Sequence, residues 1–500
     1  MRVLLIGNIA NNAFYTASLL RRAGIEADVF CPDDYWVMSS PEWEEADFDQ
    51  VPKDQMYPDW WSMDLKGYQR PRWFAQGPFP LAAEYLLAVR RGEAARADGL
   101  WAQLDAARRQ ITRDPEHRWT PPKGSETLST RVFKYRRARQ VRNLYRRVAR
   151  RIPLLQGPPD PFLARAAELG ALFARRFPER TDRREVGELE PYKQRAEQLA
   201  QLFPHYDVVQ GNSIDPMYPL MTGFRPYVAF EHGTLRDSPE VTWAFKGPFY
   251  PNTVGRLTAL SYAEADYVYI TNADVRSSAE RLRLERYAGI PHPFDEQAFA
   301  PEPEAAAAIR ARLGVDHLFL CPIRHDWVDK GTDRYIRALP ELRRRIPGRF
   351  VACFMPWGRQ IEDSKALIRE LGVEDLVTWV GPFGRRSFVR WLSAADAVWD
   401  QLAFASFSGL GPRAMAVGSP VVAAYEHEGL AWMFPDPAPM LDARTVDDVV
   451  AQTLRAIEPG FRARHAEVCR AWIRAHHSGD VVVKKLVEGY EIAIARAKRR

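Results

Sequence analysis

Two cations follow a short apolar run in the second half of the chain. The run 318–321 predicts a buried strand, and Arg324 and Lys330 stand six residues apart on the polar loop after it. An arginine presents a fork of donors and a lysine a compact charge, so the pair could bind a diphosphate from two sides. Such a pair is also common among solvated surface charges, so its meaning depends on its neighbours along the chain.

A Ser/Gly loop further along offers a second set of anion-binding groups. Ser408, Gly409 and Leu410 precede a predicted helix. The free N–H groups and the dipole at the start of a helix suit a phosphate. The loop therefore fits the same diphosphate as the two cations.

Two polar segments in the first half also follow predicted strands. His232 comes two residues after the end of the run 227–230, where a histidine can reach the ligand edge of a sheet, although it could equally be bonded to backbone. The loop after the first strand contains Gly7 and Asn8. Asparagines there could line a sugar site, but they are also common turn and cap residues.

The strands and helices that would position these groups alternate regularly along the chain. Strands are predicted at 3–7, 25–30, 206–210, 227–230, 266–270, 318–321, 350–354, 377–380 and 397–399. Helices are predicted at 13–23, 82–113, 363–371 and 388–394 and from about 480 onward. Alternation of this kind is typical of doubly wound parallel sheets.

The chain of 500 residues is too long for one core, and two domains are expected. We predict an N-terminal domain at 1–298 with an insertion at about 35–200, and a second domain at 299–475. The final helix, at 476–500, has an apolar face that we expect to pack on the N-terminal domain. The irregular, tryptophan-rich stretch from 31 to 80 is expected to cover or shape a site.

The composition of the chain disfavours several classes of function. The net charge of +6 is modest, and no nucleic-acid module is recognisable, so a nucleic-acid-binding protein is disfavoured. The four cysteines have no metal-ligand spacing and are expected to be reduced and buried. There is no GxGxxG or P-loop motif, no long apolar run and no signal-peptide pattern, which favours a cytoplasmic enzyme that does not bind a nicotinamide dinucleotide.

The segment 131–151 holds ten Lys or Arg residues and no acid, with apolar residues interleaved. A basic amphipathic helix of this kind suits an anionic membrane surface. A solvated helical face on an insertion would have the same composition.

Several motifs together resemble a known family. They are Arg324 with Lys330-Gly331, LGVEDLVTWVG at 371–381, ADAVWDQ at 395–401 and GPRAMAVGSPVV at 411–422. The last is similar to the EAMAxGxPVV helix of GT-B glycosyltransferases of the retaining family-4 type. Weaker matches are EHGTLR at 231–236, YITNAD at 269–274 and HPFDEQAFAP at 292–301. The resemblance covers roughly 1–30 and 205–455.

The resemblance implies two Rossmann-like domains facing a cleft and transfer of a sugar from a nucleoside diphosphate sugar, with retention. It implies no cofactor and no metal, and an acceptor that is a glycan, a lipid-linked sugar or a small molecule. The catalytic candidates are His232, Arg324 and Lys330. The donor-binding candidates are Gly7, Asn8, Arg324, Lys330, Gly331, Ser408, Gly409, Leu410, Arg413, Glu426 and Glu428.

One departure from the family pattern affects the donor site. Where the family has a ribose-binding Glu, this chain has Arg413, and Ala405 replaces a second Glu eight residues earlier. A guanidinium cannot accept hydrogen bonds from ribose hydroxyls. Either Glu426 or Glu428 takes that role, or the donor sits differently, and Arg413 could instead meet a phosphate or an acidic sugar. The alternative is a non-catalytic scaffold of the same fold that binds a glycan or a partner.

Overall fold

The structure is a computed structural model that describes residues 1–48, 52–113, 161–178, 189, 192–235, 252–403 and 407–499. Within these residues the strands form two sheets, one of seven strands and one of six, and neighbouring strands pair in parallel. The predicted basic segment 131–151 lies outside the described residues.

The first sheet has the order β3-β2-β1-β4-β5-β6-β7. Its strands are β1 (Arg2–Ile6), β2 (Glu26–Pro32), β3 (Phe74–Gly77), β4 (Val208–Asn212), β5 (Tyr227–Glu231), β6 (Tyr267–Ile270) and β7 (Tyr287–Gly289). The helices described in this half are α1 (Asn12–Arg22), α2 (Pro41–Glu45), α3 (Phe79–Arg90), α4 (Ala94–Arg113), α5 (Pro161–Arg176), α6 (Lys193–Leu202), α7 (Met217–Thr222), α8 (Asn252–Glu264) and α9 (Arg276–Arg281).

The second sheet has the order β10-β9-β8-β11-β12-β13. Its strands are β8 (His317–Cys321), β9 (Phe350–Phe354), β10 (Val377–Trp379), β11 (Ala397–Trp399), β12 (Val421–Ala423) and β13 (Leu441–Asp442). The helices described here are α10 (Pro303–Leu313), α11 (Thr332–Arg345), α12 (Ile361–Glu370), α13 (Arg385–Ala394), α14 (Leu410–Val417), α15 (His427–Leu430), α16 (Val446–Ala456), α17 (Phe461–His476) and α18 (Gly479–Ala497).

Both sheets reverse their strand order at an internal strand. In the first sheet β1 lies between β2 and β4, and in the second β8 lies between β9 and β11. Ligands of open parallel sheets bind at the carboxyl ends of strands beside such a reversal. The architecture confirms the predicted class of two doubly wound parallel sheets, and it places the loops after β1 and β8 at the two ligand edges.

Aromatic packing holds the second domain together beneath its ligand edge. The indole of Trp399 stacks on Phe319 and on Tyr335, with ring centroids 5.2 and 4.8 Å apart. The Tyr335 hydroxyl lies 2.7 Å from the carbonyl oxygens of both Asp400 and Val422, which share its one hydrogen. This buried stack joins β8, β11 and α11, so the loops that leave these elements start from a rigid base.

Two parts of the first domain differ from the prediction. The single helix expected at 82–113 is two helices, α3 and α4, because Gly92 adopts a left-handed φ of 73° between them. The stretch from 31 to 80, predicted to be irregular, contains β3 and α2. Strand β3 is short and ends in glycine, so its sequence carries little strand periodicity.

The C-terminal helix α18 packs against the first sheet. The Tyr490 hydroxyl donates to Gln210 Oε1 of β4 at 2.7 Å. The Tyr269 hydroxyl of β6 donates to the carbonyl of Leu486 at 2.6 Å. Among the described helices, none is long and apolar enough to cross a membrane.

The fit of α18 against β6 allows a stability test at Gly489. A Cβ at this glycine would come within 2.7 Å of Tyr269 Cζ and 2.8 Å of Tyr267 Cδ1. Because the Tyr269 ring is buried and hydrogen bonded, Gly489→Ala should destabilise the protein by about 1–3 kcal/mol in urea unfolding. Gly99→Ala, on the exposed face of α4 with open space around it, is the matched control and should not destabilise. Equal effects of the two substitutions would contradict this packing.

Candidate active site

A cavity of about 480 Å³ lies between the two ligand edges. Its walls come from segments that follow strands of both sheets and from the start of α14; the strands are β1, β2, β5, β6, β7, β8, β9, β10 and β11. Side chains of both domains therefore face one space. Seven of the residues predicted for the site line it: His232, Arg324, Lys330, Ser408, Gly409, Leu410 and Arg413.

Arg324 and Lys330 are brought together on one wall of this cavity. The Lys330 ammonium donates to Gln401 Oε1 at 2.6 Å, and the Leu402 amide donates to the Lys330 carbonyl at 2.9 Å, which ties the loop to the end of β11. The Arg324 guanidinium lies 3.7 Å from the carboxylate of Asp326 and remains 43% exposed. Arg324 is therefore accessible to a ligand.

Asp326 fixes the loop that carries both cations. Its carboxylate accepts from the amide of Asp329 at 2.9 Å and from the guanidinium of Arg359 at 2.6 Å. Burial alone would raise the pKa of Asp326, but these hydrogen bonds hold it below its ordinary value. The carboxylate therefore stays ionised and keeps the loop in place.

A buried carboxylate that the sequence analysis did not select links Lys330 to the start of α14. Asp400 is 1% exposed and accepts a hydrogen bond from the Ser408 hydroxyl. Burial raises its pKa, although Ser408 and Lys330 both favour the ionised form. The signal was present in the sequence as a polar Asp-Gln pair directly after the buried strand β11.

The N-terminus of α14 is partly occupied by its own side chains. Ser408 Oγ accepts from the amide of Leu410 at 2.9 Å. A phosphate at this position would compete with that hydroxyl for the amide. The residues 404–406 just before it, including Ala405, lie outside the described part of the chain.

Arg413 is enclosed by side chains of the other domain and the connecting segment. Its guanidinium donates to the Gly409 carbonyl at 2.6 Å and lies 3.7 Å from the carboxylate of Glu44. Three aromatic rings surround it at 5.5–5.9 Å: Tyr15, Phe294 and Phe299. Burial alone would lower the pKa of Arg413, but Glu44 and Tyr15 keep it above its ordinary value.

Glu44 is the carboxylate that faces Arg413 from the first domain. It lies on α2, is buried, lines the cavity, and accepts from the Tyr15 hydroxyl at 2.8 Å. Its sequence context carries no signal, because α2 falls in the stretch without periodicity. The same stretch supplies Trp36 and Trp43 to the cavity wall, which agrees with the expectation that it shapes a site.

The remaining predicted donor residues do not line the cavity. Gly7 has a left-handed φ of 78°, and Gly331, at 69°, is the N-cap of α11. The Asn8 side chain is buried, donates to the Ser39 carbonyl at 3.0 Å and accepts from the Phe14 amide at 2.9 Å. These contacts fit the turn and cap roles that the sequence left open.

Glu426 and Glu428 are both exposed and lie outside the cavity wall. Glu426 is 4.0 Å from the Arg444 guanidinium. In this structure Glu44, and neither of these two, is the carboxylate beside Arg413.

The cavity wall also includes polar groups that were not selected from the sequence, among them Arg385, His292 and Asn12. Arg385, at the start of α13, adds a fourth cation to Arg324, Lys330 and Arg413. His292 follows β7, and its ring centroid is 5.0 Å from that of His232. Asn12, at the start of α1, contacts His232 directly, with 2.9 Å between Asn12 Nδ2 and His232 Nδ1.

The described residues contain no group of three or more His, Cys, Asp or Glu side chains placed to hold a metal ion. The four cysteines are buried and unpaired. Burial raises the pKa of Cys321 well above its ordinary value, so this thiol, beneath the ligand edge, is protonated at neutral pH.

The ion pair across the cleft can be tested by a double-mutant cycle of Glu44→Gln and Arg413→Met. Each single substitution leaves one partner buried without its counter-charge, whereas the double variant removes both. We expect a coupling free energy of about 1–3 kcal/mol in urea unfolding. Arg386→Gln, at the more exposed pair with Asp47, provides a control for a weak cross-cleft contact. Additive effects at Glu44 and Arg413 would contradict the pairing.

Comparison with known proteins gives sequence relatives over part of the chain. No protein-family model matches. The chain is 30% identical over 231 residues to a GDP-mannose-dependent α-(1-6)-phosphatidylinositol monomannoside mannosyltransferase of Mycolicibacterium smegmatis, covering 39% of this chain and 57% of that protein. It is 32% identical over 260 residues to a D-inositol 3-phosphate glycosyltransferase of Xylanimonas cellulosilytica, covering 46% of this chain and 58% of that protein. The chain therefore spans little more than half the length of these curated relatives.

A solved structure matches over nearly the full length. A glycosyltransferase from Rickettsia africae superposes with a TM-score of 0.51, covering 98% of both chains at 11% identity. At this identity the likeness establishes the fold alone. With two parallel sheets facing one cleft, the chain has the GT-B fold, and over part of its length it is similar in sequence to glycosyltransferases.

Proposed function

We propose that the chain transfers a sugar from a nucleoside diphosphate sugar to a hydroxyl of an acceptor, with retention of configuration. The observation that supports this most directly is the placement of Arg324 and Lys330 on one wall of the cavity, beside the start of α14. His232 faces the same cavity from the other domain. Two cations from one domain and a polar ring from the other fit a diphosphate and the sugar attached to it.

The chemistry proposed is stabilisation of the leaving group. As the bond between the sugar C1 and the β-phosphate oxygen breaks, its electron pair goes to the diphosphate. Arg324 and Lys330 offset that growing negative charge in a site that partly excludes water. The acceptor oxygen bonds to C1, and its proton passes to the phosphate oxygen that has become basic. In this proposal the side-chain cations compensate the charge without a metal.

The nucleotide and the acceptor are proposed by analogy with the relatives. One relative is named for GDP-mannose, and both are named for inositol-containing acceptors that carry a phosphate. We therefore propose GDP-mannose as the first donor to test and an inositol phosphate as the first acceptor. Arg385 adds a cation to the cavity that could meet an acceptor phosphate.

A membrane-presented acceptor is part of the proposal. The basic composition of segment 131–151 supports it, since each cation near an anionic surface contributes about 1 kcal/mol. Binding of the wild-type protein to phosphatidylserine vesicles at low salt would support this, and its absence would remove the membrane from the proposal.

The second candidate is a non-catalytic scaffold of the same fold. It is favoured by Arg413, whose guanidinium is paired with Glu44 at the position where the resembling family has a ribose-binding carboxylate. The two candidate functions differ in whether the protein turns over a nucleotide sugar. Release of a nucleoside diphosphate from any nucleotide sugar, with or without acceptor, excludes the scaffold.

The two cations give the sharpest test of the catalytic proposal. Arg324→Ala and Lys330→Ala should each cost on the order of 2–4 kcal/mol of transition-state stabilisation, about 30- to 1,000-fold in kcat/KM. Nucleoside diphosphate release from the donor measures the loss. Arg337→Ala is the matched control, because Arg337 is 46% exposed on α11 and does not line the cavity. Near wild-type turnover in either cavity variant would show that these cations do not bind the diphosphate.

A further inference from the structure

The side chain of Asn12 bridges a tight loop and the ring of His232. Its Nδ2 atom donates to the Ile9 carbonyl at 3.0 Å and lies 2.9 Å from His232 Nδ1. Asn12 is buried at the start of α1, and the loop before it has left-handed φ angles of 50° at Ala10 and 55° at Asn11. A backbone held in that conformation fixes where the amide points.

The contact with Ile9 decides which amide atom faces the histidine. A carbonyl oxygen only accepts hydrogen bonds, so the Asn12 atom beside the Ile9 carbonyl must be the NH₂ group. The same NH₂ group then donates its second hydrogen to His232 Nδ1. That nitrogen must carry a lone pair, and the proton of a neutral imidazole is left on Nε2.

The other neighbour of Nδ1 is farther away and does not donate to it. Thr271 Oγ1 lies 3.5 Å from His232 Nδ1, but its hydroxyl donates to the carbonyl of Glu231 at 2.9 Å. Thr271 thus has no second hydrogen to give. The shorter contact, from Asn12, sets the tautomer.

We propose that Asn12 is a positioning residue that holds His232 as the neutral Nε2–H tautomer, so that this ring acts as a hydrogen-bond donor and not as a general base. The tautomer follows from the geometry alone, whereas its use in sugar transfer rests on the proposed function. A donor at this place would bind a hydroxyl of the sugar or of the acceptor, and it takes no proton during the reaction.

The tautomer can be read directly by ¹⁵N NMR of protein labelled at its ten histidines. The His232 signals are assigned by their loss in His232→Gln. We expect a protonated, pyrrole-type Nε2 and an unprotonated Nδ1 in the wild-type protein at neutral pH. An Nδ1–H tautomer in the wild type would overturn the proposal, whether or not any nucleotide sugar is turned over.

The substitution Asn12→Asp tests whether Asn12 sets the tautomer of His232. A carboxylate in place of the amide would accept from Nδ1–H, so the proton should move to Nδ1 or the ring should become an imidazolium. Asn11→Asp is the matched control: it makes the same change one residue earlier, where the side chain donates to the Ser40 carbonyl at 3.1 Å. It should leave the His232 signals unchanged. An unchanged tautomer in Asn12→Asp would show that Asn12 does not set it.

Kinetic measurements distinguish a hydrogen-bond donor role of His232 from a general-base role. A glutamine places an amide N–H near the position of Nε2, so His232→Gln should keep most of the activity that His232→Ala loses. The expected loss in His232→Ala is roughly tenfold in kcat/KM, as for one hydrogen bond. Equal losses in both variants would contradict the donor role. No turnover by the wild-type protein would reject the proposed function and leave the NMR result standing.

Discussion

Parallel strand pairing is the constraint on which the arrangement of this molecule depends. In a parallel sheet all carboxyl ends lie at one edge, and here two such edges face each other across one cavity. Each polar group at the site lies either on a loop that follows a strand or near the start of the next helix. The stack of Trp399 on Phe319 and Tyr335 makes the base of the second edge rigid. The cations of the following loop are thereby placed within a preorganised wall.

Across the cleft the charges are arranged with opposite signs. The second domain contributes Arg324, Lys330 and Arg413, while the first contributes Glu44. Arg413 is matched by that carboxylate and by aromatic rings, so the protein itself compensates its charge. Arg324 retains substantial exposure and is available to an anionic ligand. The difference in burial distinguishes Arg413, which the protein itself pairs, from Arg324, which we propose binds the ligand, although both line the same cavity.

The sequence was sufficient to predict the fold class and the groups that follow strongly apolar strands. Arg324, Lys330 and His232 were found because the buried strands before them are unmistakable, and the structure places all three at the cavity. Glu44 could not be found, since its short helix lies in a stretch with no periodicity and its meaning depends on a residue of the other domain. Asn12 was likewise hidden, because its role comes from a contact 220 residues away along the chain.

The central claim is that this cavity binds the diphosphate of a nucleotide, and nucleotide-dependent stabilisation tests it most directly. Thermal unfolding should be followed with UDP, GDP, TDP, ADP and CDP over a range of concentrations. The account predicts that at least one of them stabilises the protein in a saturable manner, by about 2.7 kcal/mol at roughly 100 times its dissociation constant. An unfolding temperature that none of the five changes at millimolar concentration would contradict it.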